Sequence, residues 1–190
     1  MNKGKLLIFS APSGSGKSTL VNHLMENIPS LAFSVSATTR PPRGNEQNGV
    51  EYYFLSNEEF KRRVENDEFL EWEEVYAGRC YGTLKSVVEK MRDEGKDVAF
   101  DVDVCGGVNI KKFYGGEALS VFIKTPSIEV LRQRLVSRQT DSMEEIEKRL
   151  AKADWETNFA DGKFDATIIN DDLQTAKDEI LKLVTDFLSK

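Results

Sequence analysis

The segment Ala11-Pro12-Ser13-Gly14-Ser15-Gly16-Lys17-Ser18-Thr19 has the residue types and spacing needed to grip a phosphate chain. Its glycines allow a tight turn in which successive backbone N–H groups converge. Lys17 supplies a cation for the β- and γ-phosphates and Ser18 a hydroxyl for Mg²⁺. Thr19 or its neighbour can donate to the α-phosphate. The pattern departs from a phosphate loop at its first position, where Ala11 replaces glycine, and a Cβ is tolerable there if φ is negative. A second anion-binding candidate is the pair Arg40 and Arg43, three residues apart on the loop Thr38-Thr39-Arg40-Pro41-Pro42-Arg43-Gly44. Two prolines forbid regular structure there, so both arginines are expected to be displayed rather than packed. Asp101 and Asp103 end an apolar run from Val98 to Val102, where a carboxylate can contact Mg²⁺ or its waters, and Asp101 is the first choice. The expected chemistry is therefore handling of a nucleoside triphosphate with its magnesium.

Such residues need elements to hold them. The run Lys5–Phe9 reads as a strand, and Leu20, Val21, Leu24, Met25 and Ile28 recur at helical spacing up to Pro29, so the phosphate loop lies between strand and helix. Further strands are expected at 32–36, 50–55, 69–76, 98–102, 119–124 and 166–170. Helices are expected from Ser56, where Ser56-Asn57-Glu58-Glu59 reads as a capping box, and near Lys85–Glu94, closed by Gly95. Others are expected at Pro126–Leu135, from the second capping box Ser142-Met143-Glu144-Glu145, and over Leu173–Phe187. Strands alternating with helices predict an α/β fold of the P-loop type, three layers with a parallel sheet flanked by helices. The stretch 34–83 lacks crossover helices and reads as a small strand-rich lobe for a second substrate. The stretch 138–149, charged and with little apolar face, reads as a helical lid. One domain over 1–190 is expected, its core made of 1–33, 84–137 and 150–190.

Composition narrows the classes. A chain of 190 residues, 39% hydrophobic and 31% charged, is a globular composition able to bury its own core. No apolar run approaches the roughly 20 residues of a membrane span. Met1-Asn2-Lys3-Gly4-Lys5 leads into a strand rather than a signal peptide, so a cytoplasmic protein without membrane association is expected. A net charge of −6 argues against nucleic-acid binding, which needs a positive footprint. Cys80 and Cys105 form no metal-ligand spacing and are read as reduced.

A phosphate loop alone does not identify the reaction, and the rest of the chain is more specific. Phe33-Ser34-Val35-Ser36-Ala37-Thr38-Thr39-Arg40-Pro41-Pro42-Arg43 resembles the signature of guanylate kinases. Asn48-Gly49-Val50-Glu51-Tyr52-Tyr53-Phe54, Glu68-Phe69-Leu70-Glu71-Trp72, Tyr81-Gly82-Thr83 and Asn170-Asp171-Asp172-Leu173 follow in the order and approximate spacing of that family. The resemblance implies ATP as donor with Mg²⁺, and GMP, with dGMP beside it, as acceptor. Guanine presents N1–H and N2–H₂ side by side, with O6 as acceptor, so its reader wants a carboxylate beside hydroxyls. Glu71, Ser36 and Thr83 supply that set, while Arg40, Arg43, Tyr52 and Tyr81 suit the acceptor phosphate.

The resemblance also implies that Arg138 and Arg149 close over the triphosphate as lid arginines. It leaves Arg134 and Asn170 as adenine-side candidates. Both a magnesium role and an acceptor role stay open for Asp101 and Asp103. No base is required, because the acceptor phosphate oxygen is already anionic, and His23 is expected to pack on its helix. Three positions depart from the family pattern: Ala11, the Cys105–Gly107 stretch, and Gln139 in place of a lid glycine. A non-catalytic interaction scaffold is the alternative from another class, and Lys17, Ser18 and both lid arginines speak against it. Oligomeric state is not legible.

Overall fold

The apolar run after Lys5 becomes β1, Leu6–Ser10, with every residue buried. A strand apolar on both sides belongs inside a sheet covered on both faces. It is the central strand of a five-stranded parallel sheet with β2 (Leu31–Phe33), β7 (Asp97–Asp101), β8 (Ala118–Lys124) and β9 (Ala166–Ile169), in the order β2-β7-β1-β8-β9. Successive side chains of β1 point to opposite faces. Leu7 and Phe9 pack with Leu20, Val21 and Leu24 of α1 (Lys17–Asn27) and Ile180 and Val184 of α7 (Leu173–Leu188). Leu6 and Ile8 pack with Val88 of α3 (Lys85–Asp93) and with Ile110 and Tyr114 of α4 (Val104–Tyr114). Three layers result. This computed structural model describes residues 3–76, 78–139 and 141–190. Met1 and Asn2, read as preceding the first strand, and Thr140 of the lid candidate lie outside the described residues. Among the described residues no helix is long and apolar enough to cross a membrane.

Helix α4 has no counterpart in the sequence reading, because Gly106 and Gly107 depress helix propensity. Tertiary contact explains them. A Cβ on Gly107 would lie 2.8 Å from Ser10 Oγ and 3.3 Å from Ile8 Cγ2, so the glycine lets α4 press directly onto β1. The helix starts at Asp103, whose carboxylate accepts the Gly106 N–H at 2.6 Å.

The expected lobe is a second sheet, β4-β3-β6-β5, built from β3 (Ala37–Thr38), β4 (Tyr53–Phe54), β5 (Phe69–Tyr76) and β6 (Arg79–Leu84). The β3–β4 pairing is parallel and the other two are antiparallel. Of the strand expected at 32–36 only residues 32 and 33 are strand, the end of β2, and residues 34–36 cross to β3 in the other sheet. The strand expected at 50–55 shrinks to β4. Helix α2 (Asn57–Glu65) stacks Phe60 on Phe69 with ring centroids 4.4 Å apart. Its cap is half of the expected box: Ser56 accepts the Glu59 N–H, while the Glu59 carboxylate turns to Arg62 and Arg63.

The lid candidate differs more. Helix α5 (Ile128–Ser137) is followed by α6 (Met143–Ala160), which is unbroken across the boundary expected at 149/150. Sparse apolar positions suffice to dock it. Ile146, Leu150 and Ala153, spaced four and three apart on one face, pack on Leu131 and Leu135 of α5. The capping box at Ser142 is complete, with Ser142 and Glu145 each bonding the other's backbone.

Candidate active site

Ligands in open parallel sheets gather outside the carboxyl ends of the strands, and there β1 runs into the phosphate loop. Gly14 and Gly16 stand at φ 97° and 91°, a left-handed backbone that side chains resist, and the Ser15 N–H closes the turn on the Pro12 carbonyl at 3.1 Å. Ala11 is not among the positive-φ residues, so its methyl group is tolerated. The loop lines a cleft of about 530 Å³ together with Asp101, Val102, Asp103, Arg138, Arg149, Lys152 and Glu156. The sheet register brings Asp101 here, because Phe9 of β1 lies opposite Asp101 of the neighbouring β7. Lys17 is ion-paired with Asp101. Arg149 reaches across from α6 to donate to Ser13 Oγ at 2.7 Å and to Asp141 at 2.9 Å.

Behind the loop, the Asn170 amide donates to the Ser15 carbonyl at 2.8 Å, and Arg134 donates to the Asn170 carbonyl at 2.8 Å. These two adenine-side candidates brace the loop and do not line the 530 Å³ cleft. Among the described residues no group of three or more His, Cys, Asp or Glu side chains could hold a metal ion. One hydroxyl at Ser18 and one carboxylate at Asp101 fit instead a magnesium ion that arrives with phosphates and keeps waters of its own.

A second cavity, of about 190 Å³, shares the wall Asp101–Asp103 and is otherwise lined by Ser36, Tyr52, Glu71, Glu73, Tyr81 and Gly82. Register again does the placing. Glu71 of β5 lies opposite Thr83 of β6, and the buried Thr83 hydroxyl donates to its carboxylate at 2.6 Å. Burial pushes the Glu71 carboxyl above the ordinary carboxylate range. The Thr83 bond opposes that rise and the nearby Asp103 charge adds to it. Tyr52 and Tyr81 stand edge to face, 6.0 Å between centroids.

The expectation that both arginines are displayed fails for Arg40. It is 6% exposed, lies 4.9 Å over the Tyr52 ring, and pairs end-on with Glu46 at 2.6 and 2.7 Å. A proline-stiffened loop does not keep a guanidinium in water when a carboxylate six residues on and two aromatic faces offer better company. Arg43 is exposed as expected.

Sequence reading missed Glu46, Glu73, Lys152 and Glu156. The last is buried in the cleft wall with its carboxyl raised by that burial. Its signal was present, since Arg149, Lys152 and Glu156 recur at spacings of three and four on one helix.

Comparison with known proteins agrees along the whole length. The guanylate kinase family model matches residues 3–189. The chain is similar to guanylate kinase of Bacteroides fragilis strain YCH46, 60% identical over 186 residues that cover 98% of this chain and 91% of that protein. To guanylate kinase of Porphyromonas gingivalis it is 55% identical over 187 residues, covering 98% and 99%. Among solved structures, guanylate kinase from Anaplasma phagocytophilum superposes with a TM-score of 0.72 at 31% identity, covering 100% of this chain and 88% of that one.

Proposed function

This chain belongs to the guanylate kinase family, and from that premise we propose how its two cavities transfer the γ-phosphoryl group of ATP to GMP. The observation that carries the reading is the shared wall Asp101–Asp103. Two pockets, one floored by a phosphate loop and one holding a buried carboxylate, meet at the line along which a phosphoryl group would pass. The 530 Å³ cleft takes the triphosphate on the loop N–H groups and Lys17, which leaves Asp101 for the ligand. The 190 Å³ cavity takes guanine, with N1–H and N2–H₂ on Glu71 and, at the remaining edge, the hydroxyl of Ser36 and that of Thr83 once guanine's donors replace it on Glu71. Two donors converging on Glu71 stabilise its ionised form and offset the burial that raises it.

Arg40, Arg43, Tyr52 and Tyr81 hold the acceptor phosphate. One of its anionic oxygens attacks the γ-phosphorus, the bond to the bridging oxygen breaks, and ADP leaves with that oxygen. No proton has to be removed. Catalysis is then a matter of alignment and of neutralising charge as it spreads over the transferred group. Arg138 and Arg149 supply cations from the lid side. Ser18, and Asp101 partly through water, would hold Mg²⁺, which when bound with ATP would supply neutralisation of the triphosphate charge. Asp103 borders both cavities and completes the acceptor wall. Arg134 and Asn170 act on the nucleotide through the loop they brace. The second acceptor is dGMP, which carries the same base and phosphate, and the protein works in the cytoplasm.

The test is ADP formation from MgATP with GMP, dGMP, AMP, CMP and UMP in separate reactions. Turnover is expected with GMP and dGMP alone. Arg149→Ala is expected to lower kcat by roughly 10³-fold, the value of an arginine on the transferred phosphoryl, and Lys17→Ala to abolish turnover. Turnover with AMP in place of GMP would refute the Glu71 reading.

A further inference from the structure

Glu46, like Arg40 and Arg43, lines neither cavity, and its carboxylate ties together these two arginines assigned to the acceptor phosphate. Its oxygens accept from Nη1 and Nη2 of Arg40 at 2.6 and 2.7 Å, and the first also accepts the Arg43 backbone N–H at 2.8 Å. The Glu46 N–H returns a bond to the Arg43 carbonyl at 3.1 Å, closing the turn. The second Nη1 hydrogen of Arg40 goes to the Pro41 carbonyl at 3.0 Å.

A guanidinium carries five N–H bonds in a rigid plane. Glu46 and Pro41 engage three, and the two others, on Nε and Nη2, lie together on the opposite edge, with the Tyr81 hydroxyl also in hydrogen-bonding contact with the guanidinium. That edge is the second two-pronged fork an arginine can offer to a phosphate. The plane itself is held over Tyr52 and Phe54, at 4.9 and 5.7 Å from their centroids. Arg40 thus has its orientation set on three sides before any ligand arrives. A phosphate can take the edge opposite Glu46, beside the Tyr81 hydroxyl, without displacing the carboxylate. Displacement would strand both the Arg43 N–H and a buried cation.

We propose that Glu46 is a positioning residue of the acceptor-phosphate site, holding the Nη1–Nη2 edge of Arg40 so that the Nε–Nη2 edge and the Arg43 side chain receive the phosphate of GMP. This rests on the assignment of Arg40 and Arg43 to that phosphate. Preorganisation of this kind works on affinity for the phosphate and leaves base recognition alone.

The measurement that separates the two is affinity for GMP against affinity for guanosine, which has the base and no phosphate. In Glu46→Gln the KM for GMP is expected to rise about tenfold, in line with loss of a residue that orients a ligating group. The inhibition constant of guanosine and the KM for ATP are expected to stay within about twofold. Glu46→Asp, which keeps the charge on a shorter stem, is expected to show a smaller rise of the same GMP-only kind, and it serves alone if the Gln variant fails to fold. An unchanged or lowered KM for GMP would overturn the proposal, the lowered value meaning that Glu46 competes with the phosphate. Equal loss for GMP, guanosine and ATP would also overturn it, as the mark of a purely structural residue. Arg40→Ala is the control for the underlying assignment. If it leaves GMP binding intact the phosphate site lies elsewhere, whereas weakened binding in Arg40→Ala beside normal binding in Glu46→Gln refutes the role of Glu46 alone.

Discussion

Glu71 and Glu46 are carboxylates of the same lobe, and their surroundings drive them in opposite directions. Burial raises Glu71, so without ligand its ionisation works against folding. A group raised in the folded state stabilises below its unfolded value, 4.5 for a glutamate, and loses that contribution as pH rises through the folded value. Glu71→Gln is therefore expected to melt higher than the parent at pH 8, with the difference closing toward pH 4, in thermal scans of ligand-free protein. The same substitution should cost roughly 100-fold or more in kcat/KM for GMP, because a guanine N–H then faces the amide group. Its KM for ATP should not move. Glu46 has the reverse sign. The Arg40 guanidinium, and after it the Arg43 N–H, hold its carboxyl at about 2. Its stabilisation is present above 4.5 and lost as pH falls toward 2, so Glu46→Gln should flatten that part of the acid-unfolding curve. Glu71 could be proposed as the base reader from residue type and order. The state of each glutamate could not be read there, because it depends on groups 6 and 12 residues away meeting in space.

Among the elements, the lid shows how a sequence weak in apolar residues can still dock. Helix α6 is held near its start by Ile146 and the complete capping box, with Leu150, Ala153 and Ala160 packing further along, so its first turn has little reserve. Ser142→Ala removes the hydroxyl that accepts the Glu145 N–H while leaving the Ser142 backbone N–H on Glu145, and is expected to cost about 1 kcal/mol. It should also raise the KM for ATP, because Arg149 lies only two turns further along the helix. The segment before α6 contains Gln139 at φ 52°, where the resembled family has glycine. A left-handed backbone costs a side chain about 1–2 kcal/mol. Gln139→Gly is expected to raise the melting temperature by about 2–4 °C, and a fall would show that the side chain makes up for its own strain. The capping box was readable as a four-residue pattern. The docking was not, since Leu131 and Leu135 complete a face that α6 only half presents.

For the molecule as a whole, the decisive feature is that strand ends from a parallel sheet and the edge of a small mixed sheet open onto one line of chemistry. Helix α4 sets that distance, starting at Asp103 in the shared wall and pressing Gly106 and Gly107 between the sheets. A Cβ at Gly106 would stand 3.3 Å from Glu71 Oε2, and one at Gly107 would stand 2.8 Å from Ser10 Oγ. Gly107→Ala is expected to cost about 1–3 kcal/mol as an overpacked contact. By shifting the Asp103 cap it should lower kcat while leaving guanosine affinity unchanged, which equilibrium unfolding and steady-state kinetics together can check.

Readable along the chain were the glycine-rich loop between strand and helix, the alternation of strands and helices, and the small second sheet that interrupts it. All of these are short-range: a glycine spacing, a cap, a period of two or 3.6, a run of neighbouring motif residues. It took the folded chain to show that Lys17 meets Asp101, 84 positions on, that Arg40 is buried against Glu46 rather than displayed, and that a glycine-rich segment after Asp103 is a helix. Each of these outcomes turns on register across a sheet or on the room left between packed layers. Neither quantity is a property of any local stretch of chain.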